Sequence, residues 1–397
     1  MSHFIKYFLV IYSIIISKSL FFTTFNDDLI LLIHFGICLI CYIFYDKNYF
    51  NKFFFYYAFL NVFFLLVHPL ITSNFDTYYK NFGNIIRISS FLMIFTILGK
   101  MTFLKIYVKC LFVLCLFNLI LFIDHIYLFS FSEPISSFFN LLKTYDNIFY
   151  ENYIFYGREV GHKSMLGTAT KVTNLKNPGI FGEGGYYQYF ICLALIINLF
   201  YFRKSILNKA SIIFIITILS TFSTIAYLTL GLILLNHIFS TRNIRKILLL
   251  TPFLIVFFVY LFQTKTIYSK LFDYESMDFR FSTIRRMSDT YIDLMIIKEY
   301  PWFGIGMKAD DEYYLKLSRE YGGGTSSSNG ITSYASGFGL VGSVLVVYPF
   351  ILFGFKNKRT FIITACNVLT LLSQEIVMMP MFLLSIMIIK KRKLSEI

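Results

Sequence analysis

Four basic side chains and one carboxylate stand in polar stretches of an otherwise apolar chain, and their types indicate chemistry at an anionic group. Arg285 and Arg286 are adjacent, and guanidinium groups bind phosphate oxygens through charge-assisted hydrogen bonds. Arg158 and Lys176 lie in an earlier polar stretch and could contact an anionic group as well. Glu183 follows them and could accept a proton or orient a sugar hydroxyl. On composition alone, solvated loops account for the same residues, so both interpretations stay open at this point.

The two adjacent arginines begin a segment with helical periodicity. The segment stops at Pro301, which disfavours helix in the residue before it. Arginine near a helix N-terminus opposes the helix dipole, and a bound phosphate would relieve that conflict. We therefore expect an amphipathic helix near the membrane surface. Its repeating positions are Met287, Tyr291, Leu294, Met295 and Lys298.

Several other chemistries find no support in the sequence. The stretch YGGGTSSSNG is rich in glycine but lacks the strand, lysine and helix that make a nucleotide-binding loop. The six histidines show no zinc-binding spacing. Asp310, Asp311 and Glu312 could bind a divalent cation, but contiguous carboxylates on a polar loop are usually just solvated. We expect neither a metal nor a cofactor.

The elements that hold these residues are helices in a membrane. Of the 397 residues, 57% are hydrophobic and 15% charged, whereas a soluble domain has about 25% charged residues. Runs long enough to cross a bilayer recur along the whole chain. The sequence therefore predicts an all-α polytopic integral membrane protein. The runs are 4–22, 29–45, 53–72, 85–99, 106–132, 186–202, 211–239, 247–263, 334–355 and 360–389.

Two of these runs, 211–239 and 360–389, are long for one span and short for two. Lysine and arginine in short loops stay on the cytoplasmic side of the membrane. All basic clusters fall on that side only when each run is a hairpin of two short helices. The hairpins would turn near Ser220–Thr224 and near Ser373–Glu375. The sequence thus predicts about 12 transmembrane helices with both termini in the cytoplasm.

This topology leaves two long polar segments, 133–185 and 264–333, on the outer side. Both are nearly neutral, and together they contain all four basic candidates. The formal net charge of +14 therefore resides mainly in the cytoplasmic loops. There it indicates orientation toward the inner leaflet and gives no support to a nucleic-acid partner.

Four short motifs, taken in order, resemble those of the O-antigen polymerase (Wzy-type) and O-antigen ligase superfamily of membrane enzymes. Lys176 stands where the family usually has arginine, and lysine lacks the bidentate fork of a guanidinium group. Ser328 stands where the ligases carry histidine, which favours the polymerase branch. The motifs are KNPGIFGE (176–183), STFSTIAY (220–227), Arg286 with PWFGIG (301–306), and Ser328-Asn329 with GLVG (339–342).

The resemblance implies a GT-C-like, metal-independent glycosyltransferase. It would transfer a growing glycan from its undecaprenyl diphosphate carrier onto a new lipid-linked repeat unit. The fixed guanidinium groups would stabilise the diphosphate leaving group. The implied catalytic residues are Arg286, Arg158 and Glu183, the diphosphate-binding residues are Arg285 and Lys176, and the candidates for lining the cavity are Ser223, Asn329 and Glu375.

The resemblance also implies a location and partners. The protein would lie in the bacterial inner membrane, with its active face and both long segments in the periplasm. Its partners would be the undecaprenyl-diphosphate-linked oligosaccharide and membrane lipid, with a chain-length regulator and a flippase as further candidates. Tyr186, Tyr187 and Trp302 could stack on sugars or anchor the chain at the membrane interface.

Three other functions are compatible with parts of the sequence. A lipid-linked oligosaccharide flippase can also have twelve spans and a cationic cavity, but transporters generally contain repeated helical bundles, and no repeat is visible in this chain. An O-antigen ligase would share the family motifs. A glycosyltransferase that uses a polyprenyl-phosphate sugar could place its acidic site at Asp27 and Asp28.

Overall fold

A computed structural model gives the fold of most of the chain, and helices dominate it. One pair of two-residue strands, Tyr150–Glu151 (β1) and Arg158–Glu159 (β2), is antiparallel. The predicted all-α class is confirmed apart from this pair. The described residues are 1–17, 19, 27–45, 52–127, 150–151, 158–159, 177–181, 183–240, 281–306, 312–323, 327 and 329–389.

Thirteen α-helices occur within the described residues. A short 3₁₀ turn, Gly179–Phe181, precedes the sixth helix, and a π-helical turn, Ile197–Tyr201, extends it. The helices are α1 (His3–Ile15), α2 (Asp27–Phe44), α3 (Lys52–Thr72), α4 (Thr77–Leu98), α5 (Lys100–Tyr127), α6 (Gly184–Ile196), α7 (Lys209–Ser220), α8 (Thr224–Ser240), α9 (Phe281–Glu299), α10 (Glu312–Tyr321), α11 (Gly330–Phe353), α12 (Lys358–Leu371) and α13 (Pro380–Ile389).

Five of the helical segments are long and apolar enough to cross a membrane: α3, α4, most of α5, α6 with its extension, and α11. Each has at least 18 residues, close to the length that the hydrocarbon core of a bilayer requires. Five shorter apolar helices accompany them. The chain is therefore a polytopic membrane protein. The predicted run 247–263 lies outside the described residues.

The two ambiguous runs are each divided into two helices, as the charge clusters predicted. The first run forms α7 and α8, which are separated by residues 221–223. Phe222 has a positive φ of 47°, which an α-helix does not contain. The second run forms α12 and α13, with residues 372–379 between them. The predicted polar turns, 220–224 and 373–375, therefore coincide with real breaks in the helices.

The chain divides into two compact units. The first comprises 1–59, 83–230 and 378–397, and its core is aromatic and apolar. Phe91 lies 5.6 Å from Phe103, ring centre to ring centre, and the Tyr107 hydroxyl donates to the carbonyl of Phe190 at 3.0 Å. Helix α6 is buried along nearly its whole length in this unit. Its burial on all sides explains why it is apolar all round.

The second unit comprises 60–82 and 231–377, and α9 packs against α11 within it. Helix α11 is broken at Gly339, whose φ is 66°. A Cβ there would lie 2.3 Å from the carbonyl oxygen of Trp302, so this position requires glycine. The break lets the segment 301–306, which follows α9, lie directly against the backbone of α11.

Candidate functional site

In the first unit, the first two motifs are joined by one buried asparagine. The backbone N–H of Asn177 donates to the carbonyl of Ser220 at 2.9 Å, and its side-chain Nδ2 lies 2.9 Å from Ser220 Oγ. Asn177 Oδ1 accepts from the N–H of Gly179 at 3.1 Å. The hydroxyl of Ser220 in turn donates to the carbonyl of Thr217 at 2.8 Å. We call these contacts the asparagine joint.

Two predicted site residues lie next to this joint in the chain. Glu183 is exposed at the N-cap of α6. A carboxylate at this end of a helix interacts favourably with the helix dipole. Ser223 is half-buried in the break between α7 and α8. At Gly184 a Cβ would lie 2.9 Å from the carbonyl oxygen of Thr221, so the start of α6 and this break are in close contact.

In the second unit, the third and fourth motifs are joined through backbone hydrogen bonds. The N–H groups of Ile305 and Gly306 donate to the carbonyls of Ser336 and Gly337 at 3.1 and 2.8 Å. The N–H groups of Leu340 and Val341 donate to the carbonyls of Pro301 and Trp302 at 2.8 and 3.1 Å. The segment 301–306 therefore supplies partners that α11 loses at its break.

Arg285 and Arg286 precede this joined region on α9, and both are exposed. They are the fifth and sixth residues of the described helix. Because the dipole effect falls off within the first turn, the expected conflict between these arginines and the helix dipole is weak. Thr290, one turn further along, donates its hydroxyl to the carbonyl of Arg286 at 2.9 Å.

Asp293, two turns after Arg285, is fully buried and accepts hydrogen bonds from three hydroxyl groups. Ser327 and Thr332 donate to its Oδ2 at 2.7 and 2.6 Å. Ser336 lies 3.1 Å from its Oδ1. Bonds to an ionised acceptor are stronger than bonds between neutral groups. Asp293 therefore fastens α9 to the segment before α11 and to the first turns of α11, and we call this the aspartate joint.

A second carboxylate, Asp289, lies one turn before Asp293 on the same side of α9 and is also buried. A Cβ on Gly323 would lie 3.2 Å from Asp289 Oδ1 and 3.1 Å from Ser318 Oγ. Helix α10 and the residues after it therefore cover this carboxylate. The buried side of α9 carries two acidic groups, together with Ile292 and Ile296.

The pKa of the Tyr314 phenol, on α10, is shifted by its burial and by these charges. Its burial raises the pKa of the phenol above the ordinary value of a tyrosine. The carboxylates of Asp289, Asp293 and Glu375 raise the pKa further, whereas the guanidinium of Arg285 lowers it. Charged groups shift a pKa in this way only when they are close. Arg285 and the three acidic residues therefore lie in the neighbourhood of the Tyr314 phenol.

The two remaining predicted site residues of the second unit belong to the same neighbourhood. Asn329 caps α11, and its Oδ1 accepts from the N–H of Ile331 at 3.1 Å. Its own N–H donates to the hydroxyl of Ser327, a member of the aspartate joint, at 3.3 Å. Glu375 is half-buried and accepts a hydrogen bond from the hydroxyl of Ser333.

Four of the eight predicted site residues thus share the second unit: Arg285, Arg286, Asn329 and Glu375. Glu183 and Ser223 belong to the first unit. The backbone of Arg158 forms part of β2, and Lys176 lies outside the described residues. Among the described residues, no group of three His, Cys, Asp or Glu side chains could hold a metal ion.

One aromatic prediction needs correction. Tyr187 is fully buried, with its hydroxyl 3.6 Å from Cys115 Sγ, so it is a core residue and cannot stack on a sugar. Its ring occupies the place that a Cβ of Gly179 would need, at 2.5 Å. Trp302, in contrast, is 66% exposed.

Asp289 and Asp293 were not among the predicted site residues, although they have a recognisable spacing. They are four residues apart and alternate with Ile292 and Ile296 on one side of α9. The prediction instead emphasised the apolar stripe that includes Met287, which is 61% exposed. In a soluble helix the apolar stripe would mark the buried side. In α9 the carboxylates are on that side.

Residues 210–347 match a family model described as O-antigen ligase. The match contains the second, third and fourth motifs and the whole of α9. No curated protein and no solved structure matches the chain.

Proposed function

Because residues 210–347 match a domain of the O-antigen polymerase/ligase superfamily, we propose that this protein is an O-antigen polymerase. It transfers a growing glycan from undecaprenyl diphosphate onto a new lipid-linked repeat unit. The reaction takes place at the periplasmic face of the bacterial inner membrane. The observation that carries the proposal is the pair of exposed arginines on α9, the helix that Asp293 fixes to α11.

Arg286 and Arg285 bind the diphosphate in this proposal. The bond from the sugar to the diphosphate breaks, and the leaving group gains negative charge as it departs. Two guanidinium groups on a rigid helix can stabilise that charge without reorganising during the reaction. Arg158 and Lys176, from the first long segment, add further positive charge. Asp293 acts indirectly, as a positioning residue that holds α9 in place.

The acceptor sugar contributes a hydroxyl, which must lose its proton as the new glycosidic bond forms. We assign this proton to Glu183, an exposed carboxylate at the start of α6. A general base must lie within hydrogen-bonding reach of the proton that it abstracts. Ser223, Asn329 and Glu375 contact the sugars in this proposal. The lipid-linked oligosaccharide is the substrate, and a flippase and a chain-length regulator act with the polymerase.

An O-antigen ligase is the second candidate, and the description of the matched family model favours it. A ligase transfers the finished glycan from the same carrier to the lipid core of lipopolysaccharide. The two candidates therefore share the diphosphate leaving group and the role of the arginines. Ser328, where the resemblance implies histidine in ligases, favours the polymerase.

Deletion of the gene in its host separates these functions on a gel of surface polysaccharide. Loss of a polymerase leaves single repeat units attached to the lipid core. Loss of a ligase leaves no repeat units on the core, while polymer accumulates on the lipid carrier. Loss of a flippase leaves neither repeat units on the core nor polymer on the lipid carrier. Only the first pattern supports the proposal.

The same strain tests the site when it is complemented with variants. We expect Arg286→Ala to lower polymerisation by about 100-fold or more. Enzymes that lose one hydrogen-bond donor to a developing negative charge slow by about this factor. Arg319→Ala, which removes an exposed arginine from α10, is the matched control and should restore a full ladder. A full ladder from Arg286→Ala at normal protein level would overturn the assignment.

A further inference from the structure

Helix α9 exposes one apolar stripe and buries the opposite side, which carries two carboxylates together with Ile292 and Ile296. Met287, Tyr291 and Leu294 are 61%, 53% and 53% exposed. They lie on one stripe of the helix, opposite Asp289 and Asp293. Contiguous apolar side chains on an exposed surface indicate a partner that is itself apolar. We call Met287, Tyr291, Leu294 and the exposed Trp302 the outward stripe.

The level at which Trp302 contacts α11 indicates what this partner is. The carbonyl of Trp302 accepts from the N–H of Val341, early in the second part of α11. Residues 340–353 rise about 20 Å at about 1.5 Å per residue, which is less than the thickness of about 30 Å of a hydrocarbon core. If α11 crosses the membrane, the level of Val341 therefore lies inside the apolar layer or at its edge.

At Trp302, the outward stripe adjoins an exposed apolar surface of this membrane-spanning candidate. Leu340 and Val344, in the second part of α11, are 45% and 58% exposed. Trp302 is joined to the same turn of α11 through the backbone. Tryptophan is enriched where the apolar core of a bilayer meets its headgroups.

We propose that the outward stripe of α9 and Trp302 contacts the lipids of the bilayer. Helix α9 is therefore fixed on two sides, by lipid on the outward stripe and by Asp293 on the other side. The stripe is apolar from Met287 to Leu294 at its helical positions, and the next position is Lys298, whose long side chain can reach the headgroups. This inference concerns the surface of α9 and does not require the proposed polymerase activity.

Trp302 is the single tryptophan of the chain, so its fluorescence reports on this surface without any substitution. The full chain is reconstituted into phosphatidylcholine nanodiscs that contain a fraction of doxyl-labelled phosphatidylcholine. An interfacial helix buries its apolar side about 5–10 Å into the bilayer, so we expect a label near the ester groups to lower the emission about twofold or more. A label near the end of the acyl chain should quench less.

Two variants extend the test along the stripe. In a Trp302→Phe background, Leu294→Trp places the reporter on α9, and Lys316→Trp places it on the exposed polar side of α10. We expect lipid-borne doxyl to quench the Leu294→Trp emission. Acrylamide in the water should quench Lys316→Trp, which lipid-borne doxyl should leave nearly unchanged.

The proposal fails if doxyl lipid quenches Leu294→Trp no more than Lys316→Trp. Strong quenching by acrylamide would then show that the stripe faces water. Protection from both quenchers would show that protein covers it, such as a second copy of the chain. Each of these results overturns lipid contact, whereas stronger quenching of Leu294→Trp by doxyl lipid supports it.

Discussion

The asparagine joint of the first unit and the aspartate joint of the second use different chemistry for a similar task. The first connects two family-like motifs, and the second connects α9 to α11 and to the segment before it. Each does so through one buried polar side chain and nearby hydroxyl groups. Asn177 both donates, to Ser220, and accepts, from Gly179. An ionised Asp293 can only accept, so the hydroxyls bound to it must donate their protons.

This difference shows what each joint can tolerate. The asparagine joint needs a group with both a donor and an acceptor, because the proton of Ser220 is already donated to Thr217. The aspartate joint needs acceptors for two short hydrogen bonds, from Ser327 and Thr332. It also places a negative charge two turns from Arg285. Substitutions that exchange amide and carboxylate should therefore affect the two joints unequally.

The largest effect on stability is expected from Asp293→Ala. The change removes the acceptor of the two shortest bonds in this joint, from the buried Ser327 and the half-buried Thr332. We expect a cost of about 2–4 kcal/mol in the free energy of unfolding. Thermal unfolding of the purified protein in detergent measures the loss. Glu320→Ala, at an exposed position on α10, is the control and should change little. Equal unfolding temperatures for both variants would show that the aspartate joint contributes nothing.

A smaller loss of stability is expected from Asn177→Asp. The new carboxylate oxygen would face Ser220 Oγ without a proton between them, and it would be buried. We expect a loss of about 1–3 kcal/mol, greater than that of Asn177→Ala, because a buried acceptor without a donor keeps its desolvation cost. The same unfolding assay compares the two variants. A more stable Asp variant would contradict the directions of the hydrogen bonds in the asparagine joint.

The smallest effect on stability is expected from Asp293→Asn. The amide oxygen can replace Oδ2 and keep both short bonds, while the amide nitrogen donates to Ser336 Oγ. Ser336 can then give its own proton to the carbonyl of Thr332, 2.9 Å away. We expect a loss of less than about 1 kcal/mol. A loss as large as that of Asp293→Ala would show that the negative charge itself is required, beyond its hydrogen bonds.

The parts of this architecture that depend on local sequence were predictable. The membrane class follows from composition, and the breaks between α7 and α8 and between α12 and α13 follow from the basic clusters that flank them. The end of α9 before Pro301 is also a local effect. In each case the residues that determine the structure are close together in the chain.

The contacts within the two joints were not predictable from one sequence, because they join residues far apart in the chain. Asn177 and Ser220 are separated by 43 positions, and Asp293 and Ser336 by the same number. The orientation of α9 was obscured for a different reason. In a membrane protein an apolar stripe can face lipid, so the periodicity predicts the helix but not its buried side.

The break of α11 at Gly339 constrains the number of residues in two segments, 301–306 and 336–341. Four backbone hydrogen bonds join 301–306 to 336–341, so the loop fills the place of a missing helical turn. An inserted or deleted residue in either segment would shift one set of partners past the other and leave several polar groups unpaired in an apolar setting. Side chains such as Trp302 can vary more freely than the number of residues. In this part of the molecule the spacing of the residues is therefore constrained as strictly as the glycine at position 339.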